Sequence, residues 1–476
     1  MNNNSFKWTI SDIVKAVNGN HLFGDTSQPF FNISIDSRKV DSDSLFIAIP
    51  GDNFDSHKFI PDIIKKNVRG VLIQKDKVSQ NQINEWQNQD LICIAVPDTI
   101  KALGDLAHYQ RMQWNGSVVG ITGTNGKTSV KEMLAAVLST TYRITKTQGN
   151  FNNHIGVPIT LFQIQPNHEW AIVEMGMNHL GEIAYLSKMS RPEMGIITNI
   201  GPGHLEGVKT IEGVKQAKSE LLQHLPASGV AILNADDPLV MSLKENVACP
   251  VITYGLESNA DIYAKNISEN ITGCEFILKT ANDSIKINLP AYGRFMISNA
   301  LAATAAGCHL QLSLESIKKG LESFQPIHGR LAIRHLSNDV HIIDDTYNAN
   351  PASMCAALDS LKQLKKSNTG YFVCGDMYEL GKDTAKFHKE VGNYAAKSGI
   401  KALFANGKFA SQIICGAKEA GLDPNALHQG SFEDIANILL SILKPGDWVL
   451  VKGSRAMKME QLIELIAAKT SVRKSI

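Results

Sequence analysis

The feature that most constrains this chain is an apolar run, Val118 to Ile121, followed by Thr122-Gly123-Thr124-Asn125-Gly126-Lys127-Thr128-Ser129. It reads as a buried strand over 118–122, a glycine-bearing turn and a helix over 128–139. That arrangement cradles phosphate, because backbone N–H groups of the loop and of the helix N-terminus point at phosphate oxygens. Gly123, Thr124, Asn125, Gly126, Lys127, Thr128 and Ser129 are therefore expected around a nucleotide. Lys127 would reach the outer phosphates, and the Thr128 hydroxyl would ligate Mg²⁺. The common P-loop spacing needs a glycine at 121, where this chain has Ile121, so the loop is a variant.

A strand feeding a helix in this way predicts a βα protein, and the pattern continues. Strands are expected over 118–122, 142–146, 170–174, 194–199, 230–234 and 251–254, with helices such as 181–190 and 214–225 between them. This implies a mainly parallel sheet with helices on both faces. Residues 261–290 alternate polar and apolar, as antiparallel hairpins do, and 298–310 reads as an alanine-rich helix. Before this block, strands are expected over 44–50, 70–73 and 91–96 and helices over 61–67 and 99–112. The polar stretch 79–90 reads as a surface helix or loop. After it, His328-Gly329-Arg330 looks like a hinge, and strands over 340–344, 371–374, 402–405 and 448–452 suit a doubly wound domain.

The fold expected is thus α/β with three domains. They are a smaller N-terminal α/β domain (1–112), a central P-loop-type domain with a mostly parallel sheet (113–328), and a C-terminal Rossmann-like domain (329–476). A length of 476 residues agrees with about three domains. Lys and Arg number 47 against 46 Asp and Glu, so no net charge marks a nucleic-acid binder. No apolar run reaches the ~18 residues of a membrane span, and Met1 to Trp8 lack a signal-peptide core. The seven cysteines show no CxxC spacing and are expected to be reduced core thiols of a cytoplasmic protein.

Several polar groups follow apolar strands, where a parallel sheet opens its ligand crevice. Glu174 ends one such strand; beside a phosphate loop its natural role is Mg²⁺ ligation, the alternative being a helix cap or surface acid. His204, after Gly201-Pro202-Gly203, is either a ligand for a second metal or an idle loop histidine. Lys218, on a helix, reads as an ordinary solvated lysine. Asp344 to Pro351 would either hydrogen-bond a ribose or base, or simply cap a helix with Pro351 in its first turn. Lys452-Gly453-Ser454-Arg455 would hold a carboxylate or phosphate, or form a positively charged turn.

Taken together, these strings resemble the Mur ligase family of ATP-dependent amide-forming enzymes over nearly the whole chain. The resemblance rests on Ser34 to Arg38, Thr122 to Lys131, Gly149 to Pro158, Asn178 to Ile183, Asp344 to Pro351, Gly375 to Gly381 and Val451 to Arg455. Asn152-Asn153-x-Ile155-Gly156-Val157-Pro158, Tyr347-Asn348-Ala349-Asn350-Pro351 and Gly375-Asp376-Met377-x-Glu379-Leu380-Gly381 discriminate among the sister ligases.

The resemblance implies ATP and two Mg²⁺ as cofactors. Lys127 and Thr128 would bind phosphate and metal, Glu174 one Mg²⁺, and His204 and Lys218 a second. It implies that Lys218 is carbamylated, which reverses the bland reading of that residue. Asn299 would face adenine, and Arg330, Asp345, Tyr347 and Asn348 would reach the nucleotide from the C-terminal domain. Ser37 and Arg38 would lie near a UDP diphosphate, while Asn152, Asn153, Lys452, Ser454 and Arg455 would serve substrate. One departure touches the base pocket: the family commonly has His-Asn after Gly293-Arg294, and this chain has Phe295-Met296.

The implied activity, part of cytoplasmic peptidoglycan precursor synthesis, joins D-Ala-D-Ala to UDP-MurNAc-tripeptide through an acyl phosphate. The enzyme would be a monomer with small-molecule partners only. The rivals are a sister ligase adding a single amino acid, a folylpolyglutamate-type ligase, and a nucleotide switch that makes no bond.

Overall fold

The computed structural model describes residues 6–51, 54–256, 259–270 and 272–473, so residues 1–5 of the polar N-terminal stretch lie outside the described residues. Three sheets organise the chain. The first contains β1 (Asn20–Phe23), β2 (Asn32–Ser34), β3 (Ser44–Ile47), β4 (Gly70–Gln74) and β5 (Ile92–Val96), in the order β1-β5-β4-β3-β2. It is parallel except for β1, which runs antiparallel to β5.

The central sheet has nine strands: β6 (Ser117–Thr122), β7 (Ile144–Lys146), β8 (Trp170–Glu174), β9 (Met194–Ile197), β10 (Val230–Asn234), β11 (Val251–Gly255), β12 (Ile262–Asn270), β13 (Gly273–Lys279) and β14 (Ser284–Leu289). Their order is β14-β13-β12-β11-β10-β9-β6-β8-β7. The phosphate-loop strand β6 lies between β8 and β9, parallel to both. The expected hairpins are β12–β13 and β13–β14. One relation differs from expectation: β12 pairs in parallel with β11, through Tyr254↔Ile262 and Gly255↔Tyr263, and so splices the hairpins onto the parallel sheet.

Both faces of this sheet are covered, because β6 sends successive side chains to opposite sides. Val119 and Ile121 pack with Val130 and Leu134 of the helix Lys127–Leu138 and Leu301 of Arg294–His309. Val118 joins the opposite core with Ile183, Leu186, Val214 and Leu221. Gly120 allows the helix Ile211–Gln223 to press against β6, since a Cβ there would lie 2.8 Å from Leu221 Cδ1.

The third sheet contains β15 (Ala332–His335), β16 (His341–Asp345), β17 (Gly370–Cys374), β18 (Ala402–Ala405), β19 (Leu427–Gln429) and β20 (Trp448–Lys452), in the order β15-β16-β20-β17-β18-β19. Only β15 is antiparallel to its neighbour.

Some expected boundaries moved for physical reasons. The strand from Met194 ends at Ile197 because Thr198 and Asn199 turn their side chains onto the phosphate loop. The alanine-rich helix begins at Arg294 rather than Ser298, directly after Gly293 at φ +91°. The stretch 79–90 contains a capped helix, Gln80–Gln87, that buries only Trp86. All seven cysteines are free, but Cys415 is exposed and so is no core thiol; its Sγ lies 3.4 Å from Glu419 Oε1. No helix among the described residues is long and apolar enough to cross a membrane.

Candidate functional site

The carboxyl ends of β6, β8, β9 and β10 open into a cleft of about 710 Å³ that the C-terminal domain covers. Its floor is the phosphate loop. The sequence predicts that the whole loop offers N–H groups to phosphate, but two are already used. Thr124 N donates to Asn199 O at 3.0 Å, and Asn125 N donates to Asn199 Oδ1 at 2.9 Å. The Asn125 carbonyl accepts from Thr198 Oγ1 at 2.6 Å and Asn199 Nδ2 at 3.0 Å. The open donors start one residue later. Gly126, at φ +83°, precedes the helix without a side-chain cap, and no described residue takes up the N–H groups of Gly126, Lys127 or Thr128. Unmet N–H groups at a helix start are the anion-binding element of such loops.

Lys127 folds back over the loop, its Nζ donating to Gly123 O at 2.9 Å and Thr124 O at 3.4 Å. Burial lowers its pKa; Glu174 opposes that shift and Arg330 adds to it. Thr128 Oγ1 accepts from Arg330 Nη2 at 2.9 Å. Glu174 is buried at the end of β8, where Oε1 accepts from Asn152 Nδ2 at 2.9 Å. Its Oε2 accepts no hydrogen bond from a described residue and lies 3.7 Å from Lys131 Nζ. A buried carboxylate oxygen without a hydrogen bond, in a cleft with a threonine hydroxyl, fits a divalent cation, which takes oxygen ligands.

Lys218 corrects its own reading as a solvated lysine: it is 2% exposed. Its ammonium has no hydrogen-bond or ion-pair partner among the described residues. Burial, and then the charge of Lys127, drive its pKa far below the ordinary value, so a neutral amine is favoured there. His204 sits at φ +55° with Nδ1 2.7 Å from Glu379 Oε2. That approach is close but off the line of a hydrogen bond. Among the described residues no three His, Cys, Asp or Glu side chains gather as a metal site.

From the C-terminal domain, the Arg330 guanidinium lies 4.2 Å over the Tyr347 ring. Asp345 pairs with Lys452 at 2.5 Å, and Lys452 Nζ also donates to Asn348 O at 2.8 Å. Asn299 lies against Gly126, where a Cβ would be 2.4 Å from Asn299 Oδ1. Phe295 and Met296, the departure from the family pattern, line the cleft beside it.

The cleft therefore gathers residues 124–129, Glu174, His204, Asn299, Arg330, Asp345, Tyr347, Asn348 and Lys452. Asn152 and Asn153 also line it, with Asn153 Oδ1 accepting from Gly156 N at 2.8 Å. Lys218 is buried next to the cleft rather than lining it. Ser37, Arg38, Ser454 and Arg455 lie outside it. Arg38 is exposed and pairs with Asp36 at 2.9 Å. Ser454 Oγ accepts from Tyr378 N at 2.9 Å, and Arg455 pairs with Glu460 at 2.7 Å.

Three residues here carried no role of their own from sequence, Lys131, Asn199 and Glu379, while Asn350 takes the helix-cap alternative read for Asp344 to Pro351. Lys131 had a signal, since it lies one turn beyond Lys127 on the same helical face. Asn199 had another, following a parallel strand at its carboxyl end.

Comparison with known proteins covers the same ground. Residues 30–111 match the catalytic domain of the Mur ligase family, 121–307 the Mur ligase middle domain, and 329–455 the Mur ligase glutamate ligase domain. The UDP-N-acetylmuramoyl-tripeptide–D-alanyl-D-alanine ligase of Buchnera aphidicola subsp. Baizongia pistaciae is 37% identical over 91% of both chains. A crystal structure of MurF from Acinetobacter baumannii superposes with a TM-score of 0.88 at 31% identity, covering 98% of this chain and 99% of that one. MurF ligase from Thermotoga maritima in complex with ADP gives 0.82 at 25% identity, covering 93% and 98%.

Proposed function

The chain belongs to the Mur ligase family, and on that premise we propose that it joins D-Ala-D-Ala to UDP-MurNAc-tripeptide with hydrolysis of ATP to ADP and phosphate. The observation that carries this reading is near-full-length similarity to UDP-N-acetylmuramoyl-tripeptide–D-alanyl-D-alanine ligases. The cleft agrees with it, since it brings together open N–H donors, the Lys127 side chain and a Glu174 oxygen without a hydrogen bond among the described residues. ATP is needed because a carboxylate is a poor electrophile. The tripeptide carboxylate attacks the γ-phosphorus, the bond to the β-γ bridging oxygen breaks, and an acyl phosphate and ADP result. The D-Ala-D-Ala amine then attacks the acyl carbon, loses a proton and expels phosphate.

The protein contributes positioning and charge. Lys127 leaves the carbonyls of Gly123 and Thr124 for the outer phosphates, whose remaining charge meets the N–H groups of 126–128. Arg330, Asp345, Tyr347 and Asn348 hold the nucleotide from above, and Asn299 holds the adenine side. Thr128 and Glu174 would hold one Mg²⁺; bound there, it neutralises charge on the transferring phosphoryl group. Covering the cleft excludes water that would hydrolyse the acyl phosphate.

His204 and a carbamylated Lys218 would serve a second Mg²⁺. A buried neutral amine is the form that adds carbon dioxide; the nitrogen loses a proton, and the product is an anionic oxygen ligand in place of a neutral amine. Ser37 and Arg38 would meet the UDP diphosphate, and Asn152, Asn153, Lys452, Ser454 and Arg455 the peptide substrates. We assign UDP-sugar binding to 1–112, ATP to 113–328 and closure with the dipeptide to 329–476, in a cytoplasmic monomer.

The test is phosphate release from ATP and Mg²⁺ with UDP-MurNAc-tripeptide and D-Ala-D-Ala added singly and together. Release requiring both, with a UDP-MurNAc-pentapeptide product, is expected. Release needing neither would identify a nucleotide switch, and release with one free amino acid a sister step.

A further inference from the structure

Asn125 and Asn350, 225 positions apart, exchange two side-chain hydrogen bonds. Asn350 Nδ2 donates to Asn125 Oδ1 at 2.7 Å, and Asn125 Nδ2 donates to Asn350 Oδ1 at 3.3 Å. Each carboxamide stands on a fixed support. The Asn125 backbone is pinned on both its N–H and its carbonyl by Thr198 and Asn199. Its side chain is the polar part left to reach the C-terminal domain. Asn350 caps the helix Pro351–Lys365 in a reciprocal box with Ser353, its Oδ1 accepting from Ser353 N at 2.9 Å. A carboxamide is both donor and acceptor, so two of them meeting reciprocally fix distance and angle together.

Other polar contacts cross the same boundary: Arg330 to Thr128, Glu379 to His204, and Glu206 N to Glu379 O at 3.2 Å. The two that join side chains engage groups that a phosphate or a metal would claim. The asparagine pair is neutral and uses nothing a triphosphate needs, so it can persist while the cleft fills and empties.

We infer that Asn125 and Asn350 are a positioning pair that registers the C-terminal domain over the phosphate loop, and that the Asn125 side chain serves nucleotide affinity through Asn350 rather than by touching the nucleotide. The kinetic consequence rests on the ligase reading above; the domain arrangement does not. Two neutral hydrogen bonds bias an equilibrium several-fold rather than by orders of magnitude, so the effect belongs in affinity, not in chemistry.

The experiment uses Asn125→Ala, Asn350→Ser and the double variant of the full chain. Serine is as good a helix cap as asparagine, so Asn350→Ser keeps the helix start and removes the amide, while Asn125→Ala tests the pair without touching the cap. Each single variant should raise the KM for ATP about fivefold, with kcat within about twofold and the melting temperature unchanged. The double variant should be no worse than either single one, because the second change removes nothing further. The radius of gyration of the nucleotide-free protein, from small-angle X-ray scattering, should increase in every variant. Additive KM effects, or an unchanged KM with an unchanged radius, would overturn the pairing. If wild type itself shows no ATP-dependent ligation, the ligase reading has failed, and the radius alone decides the pair.

Discussion

Arg330 Nη2 donates to Thr128 Oγ1 across 2.9 Å, linking the start of the C-terminal domain to the first turn of the phosphate-loop helix. The same guanidinium stacks on Tyr347, so one side chain touches both walls of the cleft. Metal ligation by Thr128 needs the oxygen that Arg330 now occupies. Loading the cleft should therefore move Arg330 onto phosphate, where it would stabilise charge developing in transfer. Replacing Arg330 by Ala should lower kcat for ATP-dependent ligation by roughly 10²–10³. A decrease under about threefold would mean that Arg330 only locks the empty cleft.

Lys127 is the loop side chain proposed above for the outer phosphates. Lys127→Ala should abolish turnover while leaving the circular dichroism spectrum and melting temperature near wild type. Its two hydrogen bonds are to loop carbonyls at the cleft, so their loss costs the fold little. Near-normal ATP-dependent activity in that variant would sink the assignment.

Gly126 combines a left-handed backbone, φ +83°, with no room for a side chain beneath Asn299. Gly126→Ala pays strain of about 1–2 kcal/mol for φ and pushes Asn299 off its place. The expected result is nucleotide binding weakened about tenfold or more, read by isothermal titration with ADP. Wild-type affinity would show that the loop relaxes freely.

Lys452 and Asp345 form a nearly buried ion pair in the third sheet, at the carboxyl ends of adjacent strands. Removing one partner strands the other charge. Lys452→Met should destabilise the protein by about 3–5 kcal/mol, visible as a lower urea midpoint. An unchanged midpoint would mean that water reaches Asp345.

His388 supports Gly375 to Gly381 from below. It is fully buried, its Nε2 accepts from Met377 N at 2.9 Å, and its Nδ1 lies 2.7 Å from Thr384 O. Nε2 as acceptor requires the neutral ring, and burial lowers the pKa below the ordinary 6.5. The unfolded chain thus binds the proton first as pH falls through about 6.5. Stability from this group is complete above that pH and is lost as pH drops toward the folded pKa. Wild type should lose melting temperature between about pH 7 and 5 more steeply than His388→Gln. Parallel profiles for the two proteins would remove His388 from the acid response.

Legibility from sequence followed burial. Strands such as Trp170–Glu174, Val230–Asn234 and Trp448–Lys452 lie inside parallel sheets, so their apolar runs mark both ends. Ends set by partners far along the chain were not legible. Met194–Ile197 stops two residues early because Asn125, on another strand's loop, recruits Thr198 and Asn199. Lys218 is the sharpest case: helical periodicity treats it as solvated, and only the packing around it shows a buried amine.

The sequence by itself determined the βα order, the strand–loop–helix that can cradle phosphate, and the family, because each is written in local spacing: an apolar run, glycines where the backbone must turn, and polar residues just past a strand. The tertiary structure alone decided which loop N–H groups are still open among the described residues, that Glu174 keeps an oxygen without a hydrogen bond from any of them, that Lys218 is buried with no partner among them, and that Arg330 and Asn350 meet Thr128 and Asn125 across more than 200 residues. Those properties depend on desolvation and on distances between segments remote in sequence. No local pattern of residue types encodes either one.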